Sequence, residues 1–201
     1  FIGSISTNIM MKCGPVYGTD AEIGSLGAIR TRADNSQKEP DACFRPRKPK
    51  VSSPSGSNGK EDPWPNLVIE VAYSENEQHV LDKVKNYWLD NLNLVHDVIV
   101  VKIDPVSSDQ IPKRMQAWHF CISDKRYRYR DVSHRTYFEF GTHDKYGNPT
   151  NIQQNQCIIN ISLDCLYHDR FSNIVIPRQL LPDPIALDFF LIRESFLYMY
   201  R

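Results

Sequence analysis

The stretch NLVIEVAYSENEQHVLDKVKNYW, residues 66–88, holds two hydrophobic periods back to back. Residues 66–72 form a nearly continuous apolar run of strand length, broken only by Glu70. Runs of this kind mark strands buried on both faces. From Glu75 the period changes. At about 100° per residue, Val80, Leu81, Val84, Tyr87, Trp88 and Leu92 share one broad face, which predicts a helix over 75–92. A second apolar run, Val95–Ile103, is a further buried strand and stops at Asp104-Pro105.

Glu70 is the informative residue of this block. An ionised carboxylate inside an apolar strand is strongly destabilising unless it is paired, so Glu70 requires a cation or a metal. Upstream, Pro40-Asp41-Ala42-Cys43-Phe44 reads as a short strand entry with proline at its first position. Between the two lies RPRKPKVSSPSGSNGKEDPWP, residues 45–65, whose Pro, Ser, Gly and Lys content predicts a mobile loop. Loops this long within a compact domain are often functional. Arg45, Arg47, Lys48, Lys50 and Lys60 give it the reading of a basic arm near the site that contacts phosphates, against the plainer reading of a solvated loop.

Further out the pattern is mostly of strands. Gly-punctuated residues 1–32 predict a short helix or strand start and a strand near 25–31. Residues 115–122 and 127–131 suggest a hairpin, and 135–140 and 157–163 two more strands. In the segment KRYRYR, alternation puts Arg126, Arg128 and Arg130 on one face, suited either to phosphates or to plain solvent exposure. Ile185–Tyr200 has the spacing of an amphipathic helix, with Ala186, Phe189, Phe190, Ile192, Phe196 and Leu197 inward. The organisation expected is a main domain over 1–175 and a connector with a packed C-terminal helix over 176–201.

Composition narrows the classes. Lys and Arg total 24 against 24 for Asp and Glu, so bulk charge gives no case for nucleic acid and only local clusters can. The five cysteines show no CxxC pair, which predicts reduced thiols rather than a disulfide framework or a zinc knuckle, and with it an intracellular (cytoplasmic or nuclear) protein. No apolar run approaches the ~18–20 residues of a membrane span. No signal-peptide pattern is visible, although the chain begins at Phe1 rather than Met. The histidines lack metal-ligand spacing, and there is no P-loop, GxGxxG or Ser-His-Asp order.

An acid entering one strand, an acid within the next and a lysine on the following helix suit phosphodiester hydrolysis. Carboxylates can hold Mg²⁺ or Mn²⁺, because hard cations take oxygen ligands, and an ammonium can orient water or offset developing charge. Asp41 and Glu70 are the candidate metal ligands, joined by the backbone carbonyl of Val71. Ala72 occupies the position two residues after Glu70, so the lysine has to come from the helix. Lys83 falls about 40° from Tyr87 on the helical wheel, whereas Lys85 flanks the opposite edge, which favours Lys83. His79, one turn before Lys83, and Tyr87 are candidate border residues, as is Lys85. A plain buried Glu70–Lys83 salt bridge is the competing reading.

The ordered set Pro40-Asp41, Glu70-Val71, Ser74, Lys83-x-x-x-Tyr87 and Val98–Pro105 resembles the Uma-type restriction-endonuclease-like proteins of the PD-(D/E)XK nuclease superfamily, best over residues 25–105. The resemblance implies an α/β (α+β) restriction-endonuclease-like fold, a mixed central sheet flanked by helices. It implies a Mg²⁺-dependent endonuclease, a hydrolase acting on DNA with RNA left open, with Asp41, Glu70 and Lys83 as catalytic residues. Many nucleases of this fold cut duplexes as homodimers. Two departures stand out. The Asp41–Glu70 gap is widened by the 45–65 loop, and the acid that many members carry on an earlier helix has only Glu22 as a candidate. The alternative expectation is a catalytically inactive module of the same fold that binds nucleic acid or a protein partner.

Overall fold

In the computed structural model, residues 1–14, 19–33, 36–51, 64–89, 95–107, 110–126, 131–169 and 173–198 are described. Of the loop expected at 45–65, residues 45–48 are instead the end of a strand and residues 52–63 lie outside the described residues, as does the segment carrying Arg128.

The chain opens with helix α1 (Ile2–Cys13), then strands β1 (Glu22–Gly27), β2 (Thr31–Ala33), β3 (Ser36–Lys38), β4 (Ala42–Lys48) and β5 (Leu67–Ala72). Helix α2 (Glu77–Lys83) passes directly into one π-helical turn, Val84–Trp88. Next come β6 (Asp97–Ile103), β7 (Met115–Cys121), β8 (Lys125–Arg126), β9 (Asp131–Val132), β10 (Thr136–Glu139), β11 (Ile158–Ile161), α3 (Leu163–Leu166), β12 (Ile185–Asp188) and α4 (Phe189–Tyr198).

Six strands form one mixed sheet in the order β1-β4-β5-β6-β7-β10. Only β5 and β6 run parallel, because α2 carries the chain from one back to the start of the other. Both faces of this sheet are covered, which is why β5, β6 and β7 read as apolar runs rather than alternating ones. On one face Val68, Ala72, Val98, Val100, Trp118 and Phe120 pack against Val80, Val84, Trp88 and Leu89 of the α2 segment. On the other, Leu67, Ile69, Ile99, Val101 and Ala117 share a core with Ile5 and Ile9 of α1, Ile159 and Leu187 of the β11–β12 ribbon, and Phe189 and Ile192 of α4. The expected mixed sheet flanked by helices is thus the architecture. Among the described residues, no helix is long and apolar enough to cross a membrane.

Two expectations are corrected here. Residues 185–188 do not begin the C-terminal helix. They form β12, with Ile185 and Leu187 buried in strand alternation, and helical spacing starts only at Phe189. The thiols are not all separate either. Cys121, at the end of β7, and Cys165, in α3, meet as a bonded sulfur pair, whereas Cys13, Cys43 and Cys157 are free and buried.

Gly141, just after β10, lies so close to the backbone at Lys113–Met115 that a Cβ would overlap the Lys113 carbonyl oxygen. Gly141→Ala is expected to cost about 1–3 kcal/mol, a strain of the kind overpacking imposes. At this chain length that lowers the melting temperature by roughly 2–12 °C. An unchanged melting temperature would contradict the close approach.

Candidate functional site

Asn76 caps the start of α2, its Oδ1 accepting the His79 N–H at 2.8 Å, and this fixes where the helix begins over the C-terminal half of β5. Its last residue, Lys83, then reaches the sheet. Lys83 Nζ donates to Glu70 Oε2 at 2.7 Å, and Trp88 Nε1–H donates to Glu70 Oε1 at 2.6 Å. Glu70 is 3% exposed, so this carboxylate is buried with a donor on each oxygen.

The π turn makes that double contact. Five residues in a regular α-helix span about 140° beyond a full turn, which would turn Trp88 away from Lys83. An i→i+5 turn returns both residues to the same side. Lys83, and not Lys85, is therefore the lysine on Glu70. Tyr87 does not border the carboxylate. Its hydroxyl donates to the Thr31 carbonyl at 2.9 Å, lies 2.8 Å from Thr31 Oγ1 and accepts the Lys38 N–H at 3.2 Å. That fastens the β2–β3 ribbon, and with it the segment leading to Asp41, onto the helix.

β4 runs antiparallel to β5 with Ala42 opposite Ile69, so Asp41 comes level with Glu70 one step further along. Asp41 is exposed, and its Oδ2 accepts the Val71 N–H at 2.6 Å. The sequence-predicted trio Asp41, Glu70 and Lys83 is thus brought together. Burial pushes the Glu70 carboxyl above its ordinary value, outweighing the lowering by Lys83 and Trp88, and the nearby Asp41 charge adds to the rise.

Other expected participants are elsewhere. Glu22 pairs in register with Lys48 at the far end of β4, where Arg47 Nη1 lies 3.7 Å from its Oε1, and it sits on a strand rather than a helix. The preceding helix α1 contains no acid. His79 is turned to solvent and contacts Glu75 Oε1 at 2.8 Å. Arg45 is corrected from a nucleic-acid contact to a buried brace. It is 3% exposed, and its guanidinium donates to the carbonyls of Trp64, at 2.5 Å, and Val51. Burial lowers its pKa. Lys48 and Lys50 are exposed, but at about 3.3 Å per residue Lys48 stands roughly 23 Å along β4 from Asp41. The basic arm therefore departs from the opposite end of the sheet and not beside the acids.

Sequence reasoning missed two residues. Trp88 read only as core. Lys102 on β6 pairs in register with Ala72, the position that lacks the expected lysine, and alternation puts it on the Glu70 face. Its Nζ donates to the carbonyls of Tyr73, at 2.7 Å, and Ile103, at 3.1 Å. A buried lysine in an apolar strand was a visible signal, but its neighbour across the sheet was not. Comparison with family models, with curated proteins and with solved structures finds no match for the chain.

The raised Glu70 pKa sets a sign. The folded state binds this proton more tightly than the unfolded chain, so the stability linked to it is fully present below 4.5, the ordinary value, and is lost as pH rises through the folded value. Lys83→Met removes the main lowering influence and drives the folded value higher. Urea unfolding is expected to show a loss of about 3–5 kcal/mol at pH 8 that shrinks as the pH is lowered and Glu70 takes up a proton. A loss that stays constant down the pH series would contradict the raised Glu70 value.

Proposed function

We propose that the chain is a divalent-metal-dependent nuclease of the PD-(D/E)XK type, hydrolysing phosphodiester bonds in DNA. The observation that supports this most is the meeting of Asp41, Glu70 and Lys83 at one edge of β5, with the lysine supplied from α2 because Ala72 stands where a strand lysine is absent. The donor set fits a hard cation. It consists of carboxylate oxygens, and each Glu70 oxygen has bound one donor while a carboxylate offers about four acceptor positions. Asp41 and Glu70 would hold Mg²⁺ or Mn²⁺, with the Val71 carbonyl as a further ligand. Such an ion supplies Lewis acidity to the phosphoryl oxygens and a more acidic water. Lys83 orients the attacking water and offsets charge as its oxygen bonds to phosphorus and the sugar oxygen departs. Lys102 adds a second ammonium on the same face, and Trp88 holds one Glu70 oxygen in place.

One observation favours a second reading, an inactive module of this type that binds nucleic acid or a protein. Both Glu70 oxygens and Asp41 Oδ2 already have hydrogen-bond donors without an ion.

Titration calorimetry with Mn²⁺ and incubation with plasmid and single-stranded DNA separate the two. The nuclease reading expects metal binding by the wild type and metal-dependent nicking. Asp41→Ala and Glu70→Gln should each slow nicking by about 100-fold or more, the scale of losing one preorganised charge contact. A wild type that neither binds metal nor cuts, or variants that cut equally well, would leave the inactive module.

A further inference from the structure

At the other end of the sheet, and on its opposite face, lies a second cluster that the nuclease reading does not use. Asp97 begins β6, Cys121 ends β7 directly across from it, and Cys165 comes from α3 in the covering layer. The carboxylate oxygen and the two sulfurs all lie within 4.8 Å of one another. All three residues are buried, Asp97 and Cys121 completely.

Three features distinguish this from chance packing. First, the Asp97 carboxylate is held in place. Oδ1 contacts His119 Nε2 at 2.8 Å. A hydrogen-bonded neighbour of this kind is how ligating carboxylates are fixed in metal sites. Second, the Cα atoms of Cys121 and Cys165 are 7.2 Å apart. That exceeds the roughly 4.4–6.8 Å an ordinary disulfide spans. Once reduced, the two sulfurs are no longer bonded to each other and can move apart to the spacing that bonds of about 2.3 Å to a shared cation need. Third, burial and the Asp97 carboxylate oppose a bare pair of thiolates, so a cation between them is what would balance the site. Ser123 Oγ lies 3.0 Å from Cys121 Sγ and accepts from the Arg135 guanidinium at 2.7 Å, which sets a positive charge behind the sulfur.

Beside the cluster opens a cavity of about 490 Å³, lined by His96, Ser123, Arg135, Asp164, Cys165 and His168. We propose that Cys121 and Cys165 in the dithiol state, together with Asp97, form a zinc site whose fourth position opens on this cavity to a water. Two sulfurs select a borderline-soft ion over Mg²⁺ or Ca²⁺. The ion ties α3 to the ends of β6 and β7, and so ties the covering layer to the central sheet. This assignment is independent of the nuclease reading, since Glu70 and Asp97 project from opposite faces.

The test uses the full chain purified under reductant with zinc and then freed of unbound metal. Elemental analysis should find about one zinc per chain, and Co²⁺ in its place should give a sulfur-to-cobalt charge-transfer band. Alkylation mapped by mass spectrometry should find Cys121 and Cys165 protected until a chelator is added, with Cys13, Cys43 and Cys157 unchanged by it. The C121S/C165S double variant should lose both the zinc and the band. Should that variant fail to fold, the wild-type alkylation map decides alone. The proposal is overturned by reduced wild type that retains no zinc, by a Cys121–Cys165 crosslink that survives reductant in the native state, by labelling indifferent to chelation, or by a folded double variant that keeps its metal.

Discussion

The buried ion pair between Glu70 and Lys83 constrains everything around the middle of this sheet. A carboxylate 3% exposed is tolerable only if its donors arrive with the fold. They do, because the parallel crossover from β5 to β6 lays α2 across the strand from which Glu70 projects. The Asn76 cap sets the start of that helix, and the π turn sets its end, so that an ammonium and an indole N–H close on the two oxygens. Tyr87, in the same turn, clamps Thr31 and Lys38 and thereby places the segment entering at Pro40-Asp41. One local irregularity of the helix thus serves both the partnering of one acid and the delivery of another.

The same irregularity explains where the sequence could be read and where it could not. The strands over 67–72, 97–103 and 115–121 were legible because strands buried on both faces leave long apolar runs, a pattern carried within each segment. Lys83 was legible because the residues before it keep regular helical phase. The Trp88 contact with Glu70 was not, since an α-helical wheel places Trp88 in the core but about 140° from Lys83, and only the π turn brings the two to one carboxylate. Lys102 and Arg45 escaped for a different reason. Their roles depend on register across strands and on carbonyls at the two ends of a long loop, and neither leaves a trace in the neighbouring residues. Cys121 and Cys165 are 44 residues apart and meet only because α3 folds over the end of β7. At Ile185–Asp188 the alternation is too short, and runs too directly into helical spacing, for the boundary to show.

Arg45 also changes the electrostatic picture. By bracing Val51 and Trp64 it anchors both ends of the basic loop beyond the starting end of β5, and Lys48 stands some 23 Å by strand length from Asp41. The screening length at physiological salt is about 8 Å, so the exposed Lys48 and Lys50 contribute almost no field at the acids. Basic charge here cannot act by raising the local concentration of a small anion at Asp41. It can act only on a ligand long enough to touch both ends of the strand. At 3.4 Å per nucleotide step along a duplex strand, that length is about seven steps. For the proposed nuclease, that spacing would suit a polymeric substrate better than a phosphate monoester. It also leaves the acid end to depend on Lys83, brought to Glu70 by α2, and on Lys102, held by β6 beside Ala72.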